Sequence, residues 1–125
     1  MRNATWRLVI FMFRNQFIRR VSNYVKIVEV GPRDGLQNEP KIIDTGTKLQ
    51  LINKLVQAGL PVIEAASFVS PKWVPQMGDA AQVYKGLPVA NVSFPVLCPN
   101  EKGFQTALGC GVKEIAVFGA ASGIH

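Results

Sequence analysis

From residue 25 onward the apolar positions fall into short runs that alternate between two periods. Val25 to Val30 (VKIVEV) is a β-branched run stopping at Gly31-Pro32, the pattern of a strand that ends in a turn. Asp44 or Thr45 then caps a helix in which Leu51, Ile52, Leu55 and Val56 recur at helical spacing, and Gly59 ends it. Leu60 to Ala66 reads as a second strand, and a short helix follows Asp79 to about Lys85, closed by Gly86 and Pro88. Asn91 to Leu97 is a third strand with Pro95 near its centre. Asn100 caps a third helix, Glu101 to Leu108, and Val112 to Phe118 is a fourth strand.

The junctions AGLPVIE (Ala58 to Glu64) and CGVKEI (Cys110 to Ile115) share one form: helix, glycine, strand. Helices between strands imply parallel pairing through right-handed crossovers, hence an α/β sheet. Two architectures fit, a doubly wound open sheet or part of a (β/α)8 barrel. No G-x-G-x-x-G follows the first strand, which weakens the dinucleotide-binding version of the open sheet.

Charge changes the picture through its position. The chain of 125 residues has a formal charge of +6, which alone would fit a nucleic-acid binder. Residues 1–26, however, hold six basic residues and no acid, which leaves eight charges of each sign in the rest. A balanced body lacks the Lys/Arg excess that phosphate neutralisation needs, so nucleic acid is not an expected partner. In the basic segment, Trp6, Ile10, Phe13 and Phe17 form one helical stripe beside Arg7 and Arg14, as in a mitochondrial presequence. Its longest apolar run, Leu8 to Phe13, is far too short to span a bilayer. The expected organisation is a targeting segment at 1–23 and a folded domain at 24–125, in the mitochondrial matrix or, without import, in the cytosol. Cys98 and Cys110 have neither metal-ligand nor disulfide-framework spacing.

Loop length points to where chemistry should be sought. Gly31 to Asp44 is a 14-residue strand-to-helix connection, and Ser67 to Gly78 is also long, where such loops usually take about 2–6 residues. Both follow the carboxyl ends of strands, the face on which either architecture builds its site. The first loop contains Arg33, Asp34 and Gln37 between glycines. A guanidinium fork suits a developing oxyanion and a carboxylate is a hard ligand for Mg²⁺ or Mn²⁺, although a local Arg-Asp turn also fits. Glu64, the charged residue of the second strand, can orient Arg33 or form an ordinary ion pair. Ser67 and Ser70 can bond substrate or cap a turn, and Trp73 is expected to pack its loop. His125 is the sole histidine and has no His-x-His partner.

Val25 to Glu39 (VKIVEVGPRDGLQNE), Val62 to Asp79 (VIEAASFVSPKWVPQMGD), Phe94 to Asn100 (FPVLCPN) and Phe118 to Ser122 (FGAAS) together resemble the 3-hydroxy-3-methylglutaryl-CoA lyase family. Leu36 in R-D-G-L-Q and the SFVSPKWVPQM run match the lyase branch, since related synthases typically read R-D-G-E-Q. The resemblance implies a (β/α)8 TIM barrel and a retro-Claisen cleavage of 3-hydroxy-3-methylglutaryl-CoA to acetyl-CoA and acetoacetate, in ketone-body formation and leucine catabolism. It implies Asp34 as a ligand of a divalent metal, Mg²⁺ or Mn²⁺, and Arg33 as stabiliser of the enolate oxygen. Glu64 would hold Arg33 and support catalysis, and Arg33, Gln37 and Ser67 would bind the acyl-CoA substrate. Full-length members are expected to be homo-oligomers.

Departures from the family pattern are equally specific. Its His-x-His metal pair, Asn ligand and cysteine-bearing glycine-rich loop are absent from this sequence. Pro40 stands where members often carry a Lys, and Gly123 where an acidic residue often follows Ser122. A (β/α)8 barrel usually takes about 250 residues. The expectation is therefore the N-terminal part of a truncated barrel, with about four strands and three helices and no lyase activity by itself. Two alternatives stand beside it: an acyl-CoA condensing synthase of the same superfamily, and a non-catalytic product that interacts with full-length subunits.

Overall fold

The computed structural model describes residues 23–119. The expected targeting segment lies outside the described residues apart from Asn23, as do Ser122, Gly123 and His125. Five short ladders, β1 (Val28–Glu29), β2 (Val62–Ile63), β3 (Ala66–Ser67), β4 (Val96–Leu97) and β5 (Ile115–Ala116), alternate with α1 (Thr45–Gln57), α2 (Ala80–Lys85) and α3 (Glu101–Gly109). All pairings are parallel: β1 with β2, β3 with β4, and β4 with β5.

The predicted second strand is present as two ladders, β2 and β3, for a local reason. Its amides at Ile63, Ala65 and Phe68 donate to the carbonyls of Ser93, Pro95 and Leu97. The acceptors step by two residues each time, while the donors step by two and then by three. One extra residue is therefore accommodated between Ala65 and Phe68, a β-bulge, and the pairing offset changes accordingly between Val62↔Ser93 and Ala66↔Val96. On its other side this run accepts β1, with Glu64 N donating to Glu29 O at 2.8 Å.

Counting β2 and β3 as one run, four strand positions stand side by side in chain order. A doubly wound sheet reverses its order at a switch point, whereas a barrel proceeds in one direction. The order here shows no reversal, so the α/β architecture is part of a (β/α)8 barrel.

Residues 62–68 are all buried, as expected for a parallel strand covered on both faces. The core joins Phe68, Val96 and Cys98 of the sheet region to Ile52 of α1, Val83 of α2 and Ala107 of α3. Asp44 caps α1, its carboxylate accepting from Thr47 N at 2.9 Å and Thr47 Oγ1 at 2.6 Å. The hydroxyl bond, followed by the amide bond, holds the Asp44 carboxyl below its ordinary value of 3.8. Asn100 caps α3 in the same way, accepting from Gly103 N at 2.9 Å. The two helix-glycine-strand junctions turn at Gly59 (φ +85°) and Gly111 (φ +75°), left-handed values that a Cβ disfavours. At Gly103 the constraint is space: an added Cβ would lie 2.4 Å from Phe68 O, so α3 rests directly on the strand exit.

Candidate functional site

The backbone leaving β1 coils at once into a π-helical turn, Gly31–Gly35, in which Leu36 N donates to the carbonyl of Gly31, five residues back. Such wide turns are rare and recur at functional sites, because the extra residue re-aims the side chains that follow. Glu29 Oε1 accepts from Gly31 N at 2.6 Å and ties the turn back to the strand. The sequence reads as loop here, since no periodicity distinguishes five residues of π-turn from an irregular connection.

The turn presents Arg33 between two carboxylates. Its Nε donates to Glu64 Oε1 at 2.5 Å, and its Nη1 donates to Asp34 Oδ1 at 2.9 Å. Glu64 is buried, while the Asp34 side chain is 56% exposed. The pairing anticipated from sequence between the first loop and the second strand is thus formed. Among the described residues two of the five guanidinium N–H groups are used, which leaves three to meet an incoming oxygen.

Ser67 stands on a strand that approaches this turn, and Gln37 follows the turn in sequence. β3 packs against the Gly31–Gly35 turn, and Ser67 within it is buried, its Oγ without a hydrogen-bond partner among the described atoms. Strict alternation would put Glu64 and Ser67, three residues apart, on opposite faces of the strand. The bulge between Ala65 and Phe68 breaks that alternation. Gln37 follows directly after the turn and is half-buried.

A second buried ion pair, apart from Arg33 and Glu64, braces the loops that surround the site. Lys48 of α1 is only 3% exposed. Its Nζ donates to Gln76 O and, at 2.6 Å, to Asp79 Oδ1. Thr45 Oγ1 donates to Asp79 Oδ2 at 2.6 Å, and Gln76 Nε2 donates to Glu39 O at 2.7 Å. Lys48 therefore anchors the second long loop to α1, and that loop in turn grips the first. The signal was legible: Lys48 stands four residues before Ile52 on the inward stripe of α1, where an unpaired Lys is not tolerated. Trp73 departs from expectation in the other direction. It does not pack its loop but stands 84% exposed, on a turn fixed by Trp73 N and Val74 N both donating to Ser70 O.

Among the described residues no group of three or more His, Cys, Asp or Glu is placed to hold a metal ion. Asp34 offers an accessible carboxylate, but one carboxylate is not a metal centre. Cys98 is buried, and desolvation pushes its thiol up to about 11, so it is not an activated nucleophile. Among the described residues no helix is long and apolar enough to cross a membrane.

The HMGL-like family description matches residues 24–125. Mitochondrial hydroxymethylglutaryl-CoA lyase of Bos taurus is 65% identical over 99 residues, covering 78% of this chain and 30% of that protein. The Arabidopsis thaliana mitochondrial lyase is 54% identical over 109 residues, or 86% of this chain and 23% of that one. Among solved structures, the hydroxymethylglutaryl-CoA lyase of Pseudomonas aeruginosa superposes with a TM-score of 0.75 at 56% identity, covering 78% of this chain and 33% of that one. An HMG-CoA lyase from Acinetobacter baumannii, in complex with coenzyme A and 3-methylmalate, gives 0.74 at 38% identity and covers 80% of this chain and 33% of that one. The chain spans about a third of the length of the relatives it matches.

Proposed function

The chain belongs to the HMGL-like family, and from that premise we propose that it carries the Arg33 portion of a hydroxymethylglutaryl-CoA lyase site. The observation that carries the reading is the guanidinium of Arg33, braced by Glu64 at 2.5 Å, at the carboxyl end of a barrel strand. Retro-Claisen cleavage of 3-hydroxy-3-methylglutaryl-CoA begins when a base takes the proton of the tertiary hydroxyl. The carbon–carbon bond then breaks, acetoacetate leaves, and the electron pair passes to the thioester oxygen of an acetyl-CoA enolate, which then takes up a proton at carbon to give acetyl-CoA. Charge develops on that oxygen, and a guanidinium already held in place stabilises it without reorganising. Glu64, buried and bonded to Nε, fixes the fork so that its unused N–H groups face the oxygen. Ser67 supports the same reading, because a buried hydroxyl lacking a protein partner is available to a substrate oxygen. Gln37 would contact the acyl-CoA from the edge of the turn.

The residues described here do not make a metal site alone, and no step above runs through one. Asp34 would contribute one oxygen to a divalent cation, Mg²⁺ or Mn²⁺, with the remaining donors outside the described residues. The amphipathic segment at 1–23 would direct the chain to the mitochondrial matrix, in keeping with the names of the relatives.

The test is a chimaera in which the matched segment of this chain replaces its 99-residue counterpart in the bovine lyase. Acetoacetate released from 3-hydroxy-3-methylglutaryl-CoA supports the proposal. A folded chimaera that instead frees CoA from acetyl-CoA and a 2-oxo acid would favour the synthase reading.

A further inference from the structure

The two long loops at the carboxyl ends of the strands are tied to each other at two levels. Where they enter their helices, Thr45 Oγ1 and Lys48 Nζ donate to the two carboxylate oxygens of Asp79, each at 2.6 Å. Farther out, Gln76 Nε2 of the second loop donates to Glu39 O of the first at 2.7 Å. Lys48 joins the two levels, because its Nζ also donates to Gln76 O. The main chain from which the Gln76 side chain projects is thereby held by a buried ammonium.

The segment that receives the Gln76 bond is fixed internally but needs an external hold. Asn38 N donates to Gly35 O at 3.3 Å, Glu39 N to Leu36 O at 3.2 Å, and Asn38 Nδ2 to Asp34 O at 2.8 Å. These bonds reach three or four residues back. They shape residues 34–39 into one unit without setting where that unit lies against the second loop. Pro40 follows and has no amide to contribute. Arg33 is braced separately, by Glu64.

We propose that Gln76 is a positioning residue for substrate binding: from a carbonyl held by Lys48, its side-chain amide fixes residues 36–39 and with them Gln37. The inference rests on the lyase reading above, in which Gln37 contacts the acyl-CoA. Because Glu64 braces Arg33 independently, loss of the Gln76 bond loosens the binding edge and leaves the oxyanion fork in place. Substrate binding is then weakened while turnover is kept.

The bovine chimaera, assayed by acetoacetate release, tests this. Gln76→Met keeps the side-chain length and Gln76→Glu keeps the shape, and both lack the donor. Each should raise KM about three- to tenfold, the size expected when one hydrogen bond is lost, with kcat within about twofold of the parent. A merely structural role would lower the melting temperature and leave KM where it was. Lys48→Met acts through the same relay, so adding it to Gln76→Met should raise KM by less than about twofold further. In the full chain, Gln76→Met should speed hydrogen exchange at the amides of Asn38 and Glu39 and leave α3 unchanged. An active parent chimaera whose Gln76→Met variant keeps its KM, a KM effect confined to Gln76→Glu, or unchanged exchange at Asn38 and Glu39 would overturn the proposal and leave the lyase reading standing. A folded parent chimaera that releases no acetoacetate would defeat the lyase reading, and this proposal with it.

Discussion

Replacing Lys48 by Met removes the cation that anchors the second long loop while keeping the length and apolar stem of the side chain. Lys48 is almost fully buried, and its partner Asp79 is 23% exposed at the side chain. Breaking a fully buried pair from one side costs about 3–5 kcal/mol, because the remaining charge is left uncompensated. Asp79 keeps its bond from Thr45 and some access to water, so the cost falls to or just below the bottom of that range, about 2–3 kcal/mol. Against a total stability of roughly 5–15 kcal/mol the variant still folds at 25 °C. With a urea slope of about 1–2 kcal/mol per molar, the denaturation midpoint should fall by roughly 1–3 M. Lys48→Arg should recover part of the loss, and hydrogen exchange in Lys48→Met should speed up first in residues 70–79. A midpoint shift worth less than about 0.5 kcal/mol would refute the reasoning, since that is the range of an exposed pair.

Two further outcomes follow from packing and desolvation. Gly103→Ala forces a methyl toward Phe68 O and should cost about 1–3 kcal/mol by overpacking, read as a drop in melting temperature; an unchanged melting temperature would mean that α3 does not rest on the strand exit. Cys98 should resist iodoacetamide in the native chain at pH 8 and react only after denaturation, as mass spectrometry would show; rapid native labelling would contradict its burial. The folded thiol titrates near 11, above its ordinary value of 9.0. The folded state therefore holds that proton more tightly, and this contribution to stability is present below about pH 9 and is lost as pH rises toward 11.

Local chemistry explains why the helices were legible and parts of the sheet were not. Asp44 and Asn100 announce their helices because a short acceptor side chain satisfies the first free amides, and Gly59 and Gly111 announce the ends. The bulge in the second strand leaves no such mark. It arises from the register between that run and residues 93–97, a relation between distant segments. The link from Arg33 to Glu64 could be anticipated only because neighbouring strands bring their carboxyl ends together. Lys48 is inconspicuous because a lysine in a helix is usually solvated, yet its place on the Ile52 stripe carries the information. Trp73 shows the converse, an aromatic whose residue type gave no indication that the Ser70 turn would hold it outward.

The most direct measurement is the turnover number of the bovine chimaera with Arg33 replaced by Lys. Lysine keeps the charge but loses the planar fork that Glu64 braces. Removing one such donor from an oxyanion site typically costs about 10²–10³ in turnover. A loss of that size, with the substrate KM changed far less, is the predicted result, and a turnover number within about twofold of the parent chimaera would contradict the role of Arg33.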